Sequence, residues 1–272
     1  AGTAMKKLLF PGFKSKALTF SYDDNTTQDR RLVKIFRKYG IKATFNINTG
    51  LFGKPGSLKY QHEILNHSCV DESEIKALYS GFELASHTVN HISLPKEEYT
   101  SFEREISDDC KKIGELCGIK ATGFAYPYGE YNAETVKQLK SLGIIYARTV
   151  NDTHRFDLPA DFLEWHPTCH DHDPEINRLT DEFLSDGGKD LKLFYIWGHS
   201  YELDKSDTDR WADMEALCEK LSGKSDIWYA TNRSICEYIT TAKTVGDCFE
   251  ENSIGIDLFY EENGVKTVFK AK

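Results

Sequence analysis

The sequence predicts an α/β protein: a distorted (β/α) barrel of about seven parallel strands, followed by a small C-terminal β-hairpin. Three observations predict it. From Ala17 onward, short runs of β-branched and aromatic residues alternate with longer amphipathic segments, the rhythm of parallel strands joined by crossover helices. The 272 residues suit one barrel-sized unit. Polar residues able to do chemistry fall just after the strand runs, where barrels build their sites.

The strands are read at residues 17–22, 43–47, 82–86, 123–126, 144–149, 193–197 and 227–230. Between the first two, residues 27–39 place Leu32, Ile35 and Phe36 on one helical face, and Gly40 ends the pattern. Residues 96–117 and 133–142 read as helices in the same way, 175–184 and 211–221 precede the sixth and seventh strands, and 233–241 closes the barrel. Beyond Gly246, runs 254–260 and 265–269 flank Glu261-Glu262-Asn263-Gly264, whose Asn-Gly pair is a hairpin turn signal. Residues 51–71 lack periodicity and read as a long loop overhanging the site. The domain reading is residues 1–15 as an N-terminal extension or cloning remnant, 16–245 as the barrel and 246–272 as a β appendage packed on it.

Composition narrows the function. Hydrophobic residues make up 40% and charged residues 28%, enough apolar surface for a sizeable core and too little charge bias for disorder. A net charge of −9 argues against broad basic surfaces for nucleic acid or anionic membrane and favours a neutral or cationic small substrate. The seven cysteines form no C-x-x-C pair and read as mostly reduced, buried thiols. No run has the apolar length of a transmembrane helix, and the run from Met5 meets Pro11-Gly12 too early for a signal-peptide core. Taking Met5 as the native start gives a cytoplasmic protein, although a leader removed in cloning would leave the same sequence.

Asp23-Asp24 closes the first strand run, and His87-Thr88-Val89-Asn90-His91 follows the third. One carboxylate and two imidazoles supply three ligands to a metal and leave positions open for water and substrate; the second carboxylate is then free to act as a base. Alone, an Asp pair reads as a solvated turn or cap, with Asn25, Thr26 and Thr27 competing for that role, and H-x-x-x-H is a weak signal. Their shared position at strand ends joins them, along with residues 126–129 after the fourth strand and His199 after the sixth.

These motifs resemble those of the polysaccharide deacetylase family, also called the NodB-homology domain or carbohydrate esterase family 4, over roughly residues 16–241. Thr19-Phe20-Ser21-Tyr22-Asp23-Asp24-Asn25 resembles the family's T-F-D-D-G motif, with Ser-Tyr inserted and Asn in place of Gly. Ser86-His87-Thr88-Val89-Asn90-His91 matches S-H-[ST]-x-x-H without departure, and Ala43-Thr44-Phe45 is similar to the family's second strand. Phe124-Ala125-Tyr126-Pro127-Tyr128-Gly129 resembles R-x-P-Y-G, with Ala125 at the Arg position, and residues 193–199 resemble the L-x-H motif, with Trp197 at the Leu position.

The resemblance implies that Asp24, His87 and His91 hold one divalent metal, read as Zn2+ with Co2+, Mn2+, Ni2+ or Fe2+ also suited to the ligand set. It implies Asp23 as general base, the Tyr128 backbone N–H in an oxyanion hole beside Pro127, and His199 as general acid. Arg148 is the expected replacement for the missing motif Arg, and Trp197 is expected to line an acetyl-methyl pocket. The family's fourth motif, an Asp-Trp element tuning the histidine, has no clean match; Asp152, Asp157 and Trp165 are the candidates. His166, His170 and His172 read as a polar loop, with a second metal site as the lesser alternative. Tyr22, Tyr126, Tyr131, Trp165 and Trp197 are candidate sugar-stacking aromatics. The implied substrate is an N- or O-acetylated oligosaccharide or polysaccharide. A catalytically impaired carbohydrate-binding homologue and a non-haem iron oxygenase using the same triad are the competing readings; oligomeric state is not legible.

Overall fold

At the centre of the fold is β1 (Lys16–Asp23), a strand buried at all eight positions. A computed structural model describes residues 9–185, 191–246, 256–261 and 264–271. Its further strands are β2 (Ala43–Ile47), β3 (Ser57–Tyr60), β4 (Glu63–Asn66), β5 (Glu83–Ser86), β6 (Gly123–Ala125), β7 (Tyr146–Arg148), β8 (Cys169–His170), β9 (Lys192–Gly198), β10 (Ile227–Tyr229), β11 (Ile256–Glu261) and β12 (Gly264–Ala271). The helices are α1 (Asp29–Lys38), α2 (Ile75–Leu78), α3 (Tyr99–Cys117), α4 (Ala133–Ser141), α5 (Ile176–Leu184), α6 (Arg210–Leu221) and α7 (Asn232–Gly246).

Eight strands form one parallel sheet in the order β7-β6-β5-β2-β1-β9-β8, with β10 also pairing β1. One edge of β1 follows β9 from Lys16↔Lys192 to Tyr22↔Gly198. Its other edge is divided: residues 16–18 pair with β10 and residues 20–23 with β2. The two ends of the sheet approach each other through the chain leading into β8. Trp165 bridges Arg148 of β7, Thr168 N–H donates to Tyr195 O, and Cys169 then pairs with Ile196 of β9. The result is a curled sheet approaching a barrel, as the sequence predicts.

All seven expected strands occur, and β8 is an eighth. Its two residues sit in a His- and Asp-rich stretch that carries no strand pattern of its own. The expected helices occur with small boundary shifts, and α2 is an additional single turn. Residues 51–71 differ from expectation: they contain the antiparallel β3–β4 hairpin, register Leu58↔Leu65 and Lys59↔Ile64. The strands β11 and β12 pair antiparallel, while the Asn263 turn position lies outside the described residues, as do residues 1–8 of the N-terminal extension. Six cysteines are free thiols, all but Cys117 buried; Cys248 lies outside the described residues. Among the described residues no helix is long and apolar enough to cross a membrane.

The strand period of two divides β1 by chemistry. Leu18, Phe20 and Tyr22 face the helices, where Phe20 and Phe36 of α1 have ring centroids 5.1 Å apart. Gly40, at φ 65°, lets the chain leave α1 while Ile41 N–H reaches back to Phe36 O. Thr19, Ser21 and Asp23 point the other way, into an interior where polar groups sit above and among buried apolar residues such as Ala17, Leu193 and Tyr195. There Asn232 donates to Thr19 Oγ1, Asn46 donates to Ser21 Oγ, and the Tyr195 hydroxyl donates to Asn232. This inner ladder of polar groups carries Asp23 at its upper end.

The inner face is filled tightly where β6 meets β7. Gly123 is the register partner of Tyr146, and a Cβ at Gly123 would stand 2.1 Å from the Tyr146 ring. That ring is fully buried, its hydroxyl donating to Glu83 at 2.7 Å. Gly123→Ala is therefore expected to cost about 1–3 kcal/mol of stability through overpacking. Urea denaturation checks this, and an unchanged midpoint would show that the ring yields freely.

Candidate active site

The site lies at the C-terminal ends of β1, β5, β6, β7 and β9. After β1 the chain turns through Asp24 at φ 80° and Asn25 at φ 42°, a left-handed pair of non-glycine residues. Asparagine tolerates this conformation better than most residues, which accounts for Asn25 where the resemblance has Gly. Its side chain also adds a contact that glycine lacks, Oδ1 accepting Asn48 N–H at 2.8 Å. Left-handed residues recur at Thr88, His91 and Tyr128, so three site loops each turn sharply straight off a strand end.

Asp23 is buried and saturated with donors. Arg148 grips it with two hydrogen bonds, Nη1 to Oδ1 at 2.8 Å and Nη2 to Oδ2 at 2.6 Å, and Asn46 Nδ2 donates to Oδ1 at 2.8 Å. Arg148 has no exposed surface, donates to Ser21 Oγ as well, and lies over the Trp197 ring at 4.7 Å. Burial pushes the Asp23 carboxyl up, but Arg148 first, then His87 and His199, outweigh it and bring it down to about 2. The position of the cation follows from register: Arg148 is the cross-strand partner of Ala125, the motif Arg position. A cation thus reaches Asp23 from β7.

Asp24, His87 and His91 face one another without a hydrogen bond to Asp24 Oδ1. Asp24 Oδ1 lies 3.4 Å from His87 Nε2 and 3.2 Å from His91 Nε2. Ligands held at about 2.0–2.1 Å around a tetrahedral metal stand about 3.3 Å apart. Asp24 Oδ1 is buried without a hydrogen-bond partner, and leaving such an acceptor unmet is costly. His87 Nδ1 lies 2.7 Å from Ala125 O, so the proton sits on Nδ1 and the Nε2 lone pair is turned to Asp24. These residues fit a divalent cation. Burial would raise the Asp24 carboxyl, but the surrounding imidazoles, His67 first, hold it well below the usual range.

A second group, His170, His199 and Glu202, has different distances. Glu202 Oε1 lies 2.7 Å from His199 Nδ1 and 3.0 Å from His170 Nε2, both hydrogen-bond lengths. His170 Nδ1 is 3.1 Å from the N–H of His172, which fixes its proton on Nε2. One carboxylate oxygen thus takes two imidazole N–H groups. His199 Nε2 is left facing Asp23 Oδ2 at 3.6 Å. Burial opposes its charge, but the Glu202 hydrogen bond and the Asp24, Glu202 and Asp23 carboxylates raise His199 to about 9. Glu202 itself is held well below the carboxylate range by the two histidines, against its burial.

Several expected residues stand elsewhere. Trp165 is buried among Tyr146, Phe162 and Tyr195, its ring closed off from solvent. Tyr22 and Tyr126 are likewise buried, their hydroxyls donating to Asp171 and to Leu163 O; Tyr131 stacks on Tyr126. Pro127 is buried at the start of a short 3-10 turn, while Tyr128 is 65% exposed with its ring edge-on to His91. Trp197 donates to Asp152 Oδ1 at 2.7 Å and walls the space between His170 and His199. Asp157 pairs with Arg155 at the surface, His166 contacts Thr149, and His172 lies 3.9 Å from Asp207. Sequence reasoning missed His67, 3.1 Å from Asp24 Oδ2, and Glu202; only the i, i+3 spacing from His199 could have signalled the latter.

A strand-end cluster of two carboxylates, three imidazoles and a buried guanidinium on a curled parallel sheet has the make-up of a hydrolase site. The sequence model of the polysaccharide deacetylase family matches residues 11–147, half of the chain, and the protein belongs to that family. The match holds both aspartates, His87 and His91, and stops one residue before Arg148. A curated Bacillus subtilis protein named "Putative polysaccharide deacetylase YxkH" is 26% identical over 129 residues, which span 47% of this chain but only 42% of that protein. Among solved structures, Puue allantoinase has a TM-score of 0.63 at 14% identity, covering 85% of this chain and 92% of its own. A Streptomyces lividans family 4 carbohydrate esterase in complex with acetate has a TM-score of 0.50 at 17% identity, covering 79% and 90%. These two show a shared fold.

The buried Asp23–Arg148 pair generates a stability prediction. Arg148→Met leaves Asp23 buried without its cation and is expected to cost about 3–5 kcal/mol in chemical denaturation. Adding Asp23→Asn should recover much of that loss. A double variant no more stable than Arg148→Met would mean that the pair is not the source of the cost.

Proposed function

We propose that the protein is a metal-dependent hydrolase that removes acetyl groups from N- or O-acetylated carbohydrates. One observation carries the reading: Asp23, pinned as an anion by Arg148, stands 3.6 Å from the imidazole of His199 beside the ligand-spaced Asp24, His87 and His91. A divalent cation held by Asp24, His87 and His91, with zinc first among the ions suited to that set, would polarise the acetyl carbonyl and make water more acidic at the site.

The chain's own residues do the rest. Asp23 takes the proton from the attacking water; Arg148 and Asn46 keep its carboxylate oriented and charged. The Tyr128 N–H, in the short 3-10 turn after β6, is the backbone donor that the family resemblance assigns to the developing oxyanion. His199 delivers the proton on Nε2 to the departing nitrogen or oxygen while Glu202 holds Nδ1–H. Trp197 forms the acetyl-side wall. The guanidinium on β7 weighs against the impaired-homologue reading, because the charge missing at Ala125 is supplied one strand away.

The test is acetate release by metal-reconstituted protein from chito-oligosaccharides, monomeric N-acetyl sugars and acetylated xylan fragments. Asp23→Asn should abolish release yet retain metal, and His87→Ala should lose metal. Full activity after chelation would refute the scheme.

The acid carries a pH prediction. His199 faces Asp23, Asp24 and Glu202 as anions, with His170 beside them. Activity needs its proton and falls as pH rises through its pKa. Replacing Glu202 by Gln removes an anion, lowers that pKa and moves the alkaline limb of kcat to lower pH. A charged hydrogen bond of about 1.5–3 kcal/mol corresponds to about 1–2 pH units. An unmoved limb in the pH–rate profile would remove His199 from the acid role.

A further inference from the structure

The insert between β2 and β5 returns along the Asp-Asp loop. Thr27 N–H donates to Ser68 O at 2.9 Å, Val70 N–H donates to Asn25 O at 3.0 Å, and Thr26 bridges Cys69 antiparallel between them. Gln28 Nε2 donates to Asn66 O at 2.7 Å. This zipper sets His67 beside Asp24. The hairpin is also tied to the segment after His199: Ser206 donates to Glu63, and Lys205 lies over the Tyr60 ring at 3.7 Å. His67 N–H donates to Gly56 O, and a Cβ at Gly56 would stand 2.7 Å from His67 O, so the base of the hairpin closes only over glycine.

His67 Nε2 lies 3.1 Å from Asp24 Oδ2, and its ring is edge-on to Tyr201 at 4.7 Å. The two Asp24 oxygens therefore have different partners. Oδ2 is occupied by His67, while Oδ1 has no hydrogen bond and faces His87 and His91. We infer that His67 is a positioning residue for the metal site, restraining Asp24 to offer one oxygen and so favouring ions content with few ligands, such as Zn2+, over ions that accept a bidentate carboxylate, such as Mn2+. The inference rests on Asp24, His87 and His91 being the ligands. His67 acts through Asp24 and touches no reacting atom.

The experiment is titration of the metal-stripped full chain with Zn2+ and with Mn2+ against a chromophoric chelator, for wild type, His67→Ala, His67→Gln and His87→Ala. Thermal melting of the stripped proteins confirms folding. His67→Ala should bind Zn2+ about 10–100-fold more weakly and lose less for Mn2+, while Gln, which keeps a donor near Oδ2, should recover part of the Zn2+ affinity. Equal Zn2+ affinity in wild type and His67→Ala, with His87→Ala impaired, overturns the inference and leaves the ligand reading standing. Wild-type binding that survives His87→Ala overturns the ligand reading itself.

Discussion

Two adjacent carboxylates buried at the end of a hydrophobic strand are the constraint around which the site is organised. Moving an ion out of water is expensive, and the cost is tolerable only with a well-placed counter-charge and satisfied lone pairs. Asp23 obtains both from Arg148 and Asn46. Asp24 is surrounded by three imidazoles, with one oxygen left open. The polar groups below Asp23 follow from this. Ser21, two residues before Asp23, faces inward and accepts from both Arg148 and Asn46.

The site loops are fixed to one another below the chemistry. Ser200, next to His199, donates to Asp29 Oδ1 at 2.6 Å and lies 3.1 Å from the Thr26 hydroxyl, while Tyr79 donates to Asp29 Oδ2. Asp109 of α3 plays the same part on the other side, accepting from Ser86, just before His87, and from Thr49. Burial raises Asp29 to about 7 and Asp109 to about 6 despite these donors. The left-handed turns at Asp24, Asn25, Thr88, His91 and Tyr128 persist because buried contacts over-determine the loops that carry them.

The sequence made most of this legible where the signal was local. The strands carry short runs rich in β-branched and aromatic residues, so the seven read from the sequence all occur. The Asp pair and the two histidines stood in short motifs. That Arg148 reaches Asp23 could be anticipated because its strand end neighbours that of β6. What escaped depends on distant pairing. β8 is two residues long and defined by β9; the β3–β4 hairpin is a weakly patterned insert; His67 meets Asp24 only because residues 68–70 zip against 25–27. Glu202 lay near His199, but its partnership with His170 requires the eighth strand.

The divided edge of β1 bears on how the chain reaches this state. Its upper half pairs with a strand some twenty residues away, yet its lower half waits for residues 227–229 and its whole opposite edge for residues 192–198. Such closures carry a large loop entropy, which slows folding. During synthesis the loops carrying Asp24, His87 and His91 emerge well before Arg148, and before either late strand covers β1. The central strand therefore waits with an open edge until these later segments arrive. The protein's most aggregation-exposed interval is the time between translation of its first strand and translation of its tenth.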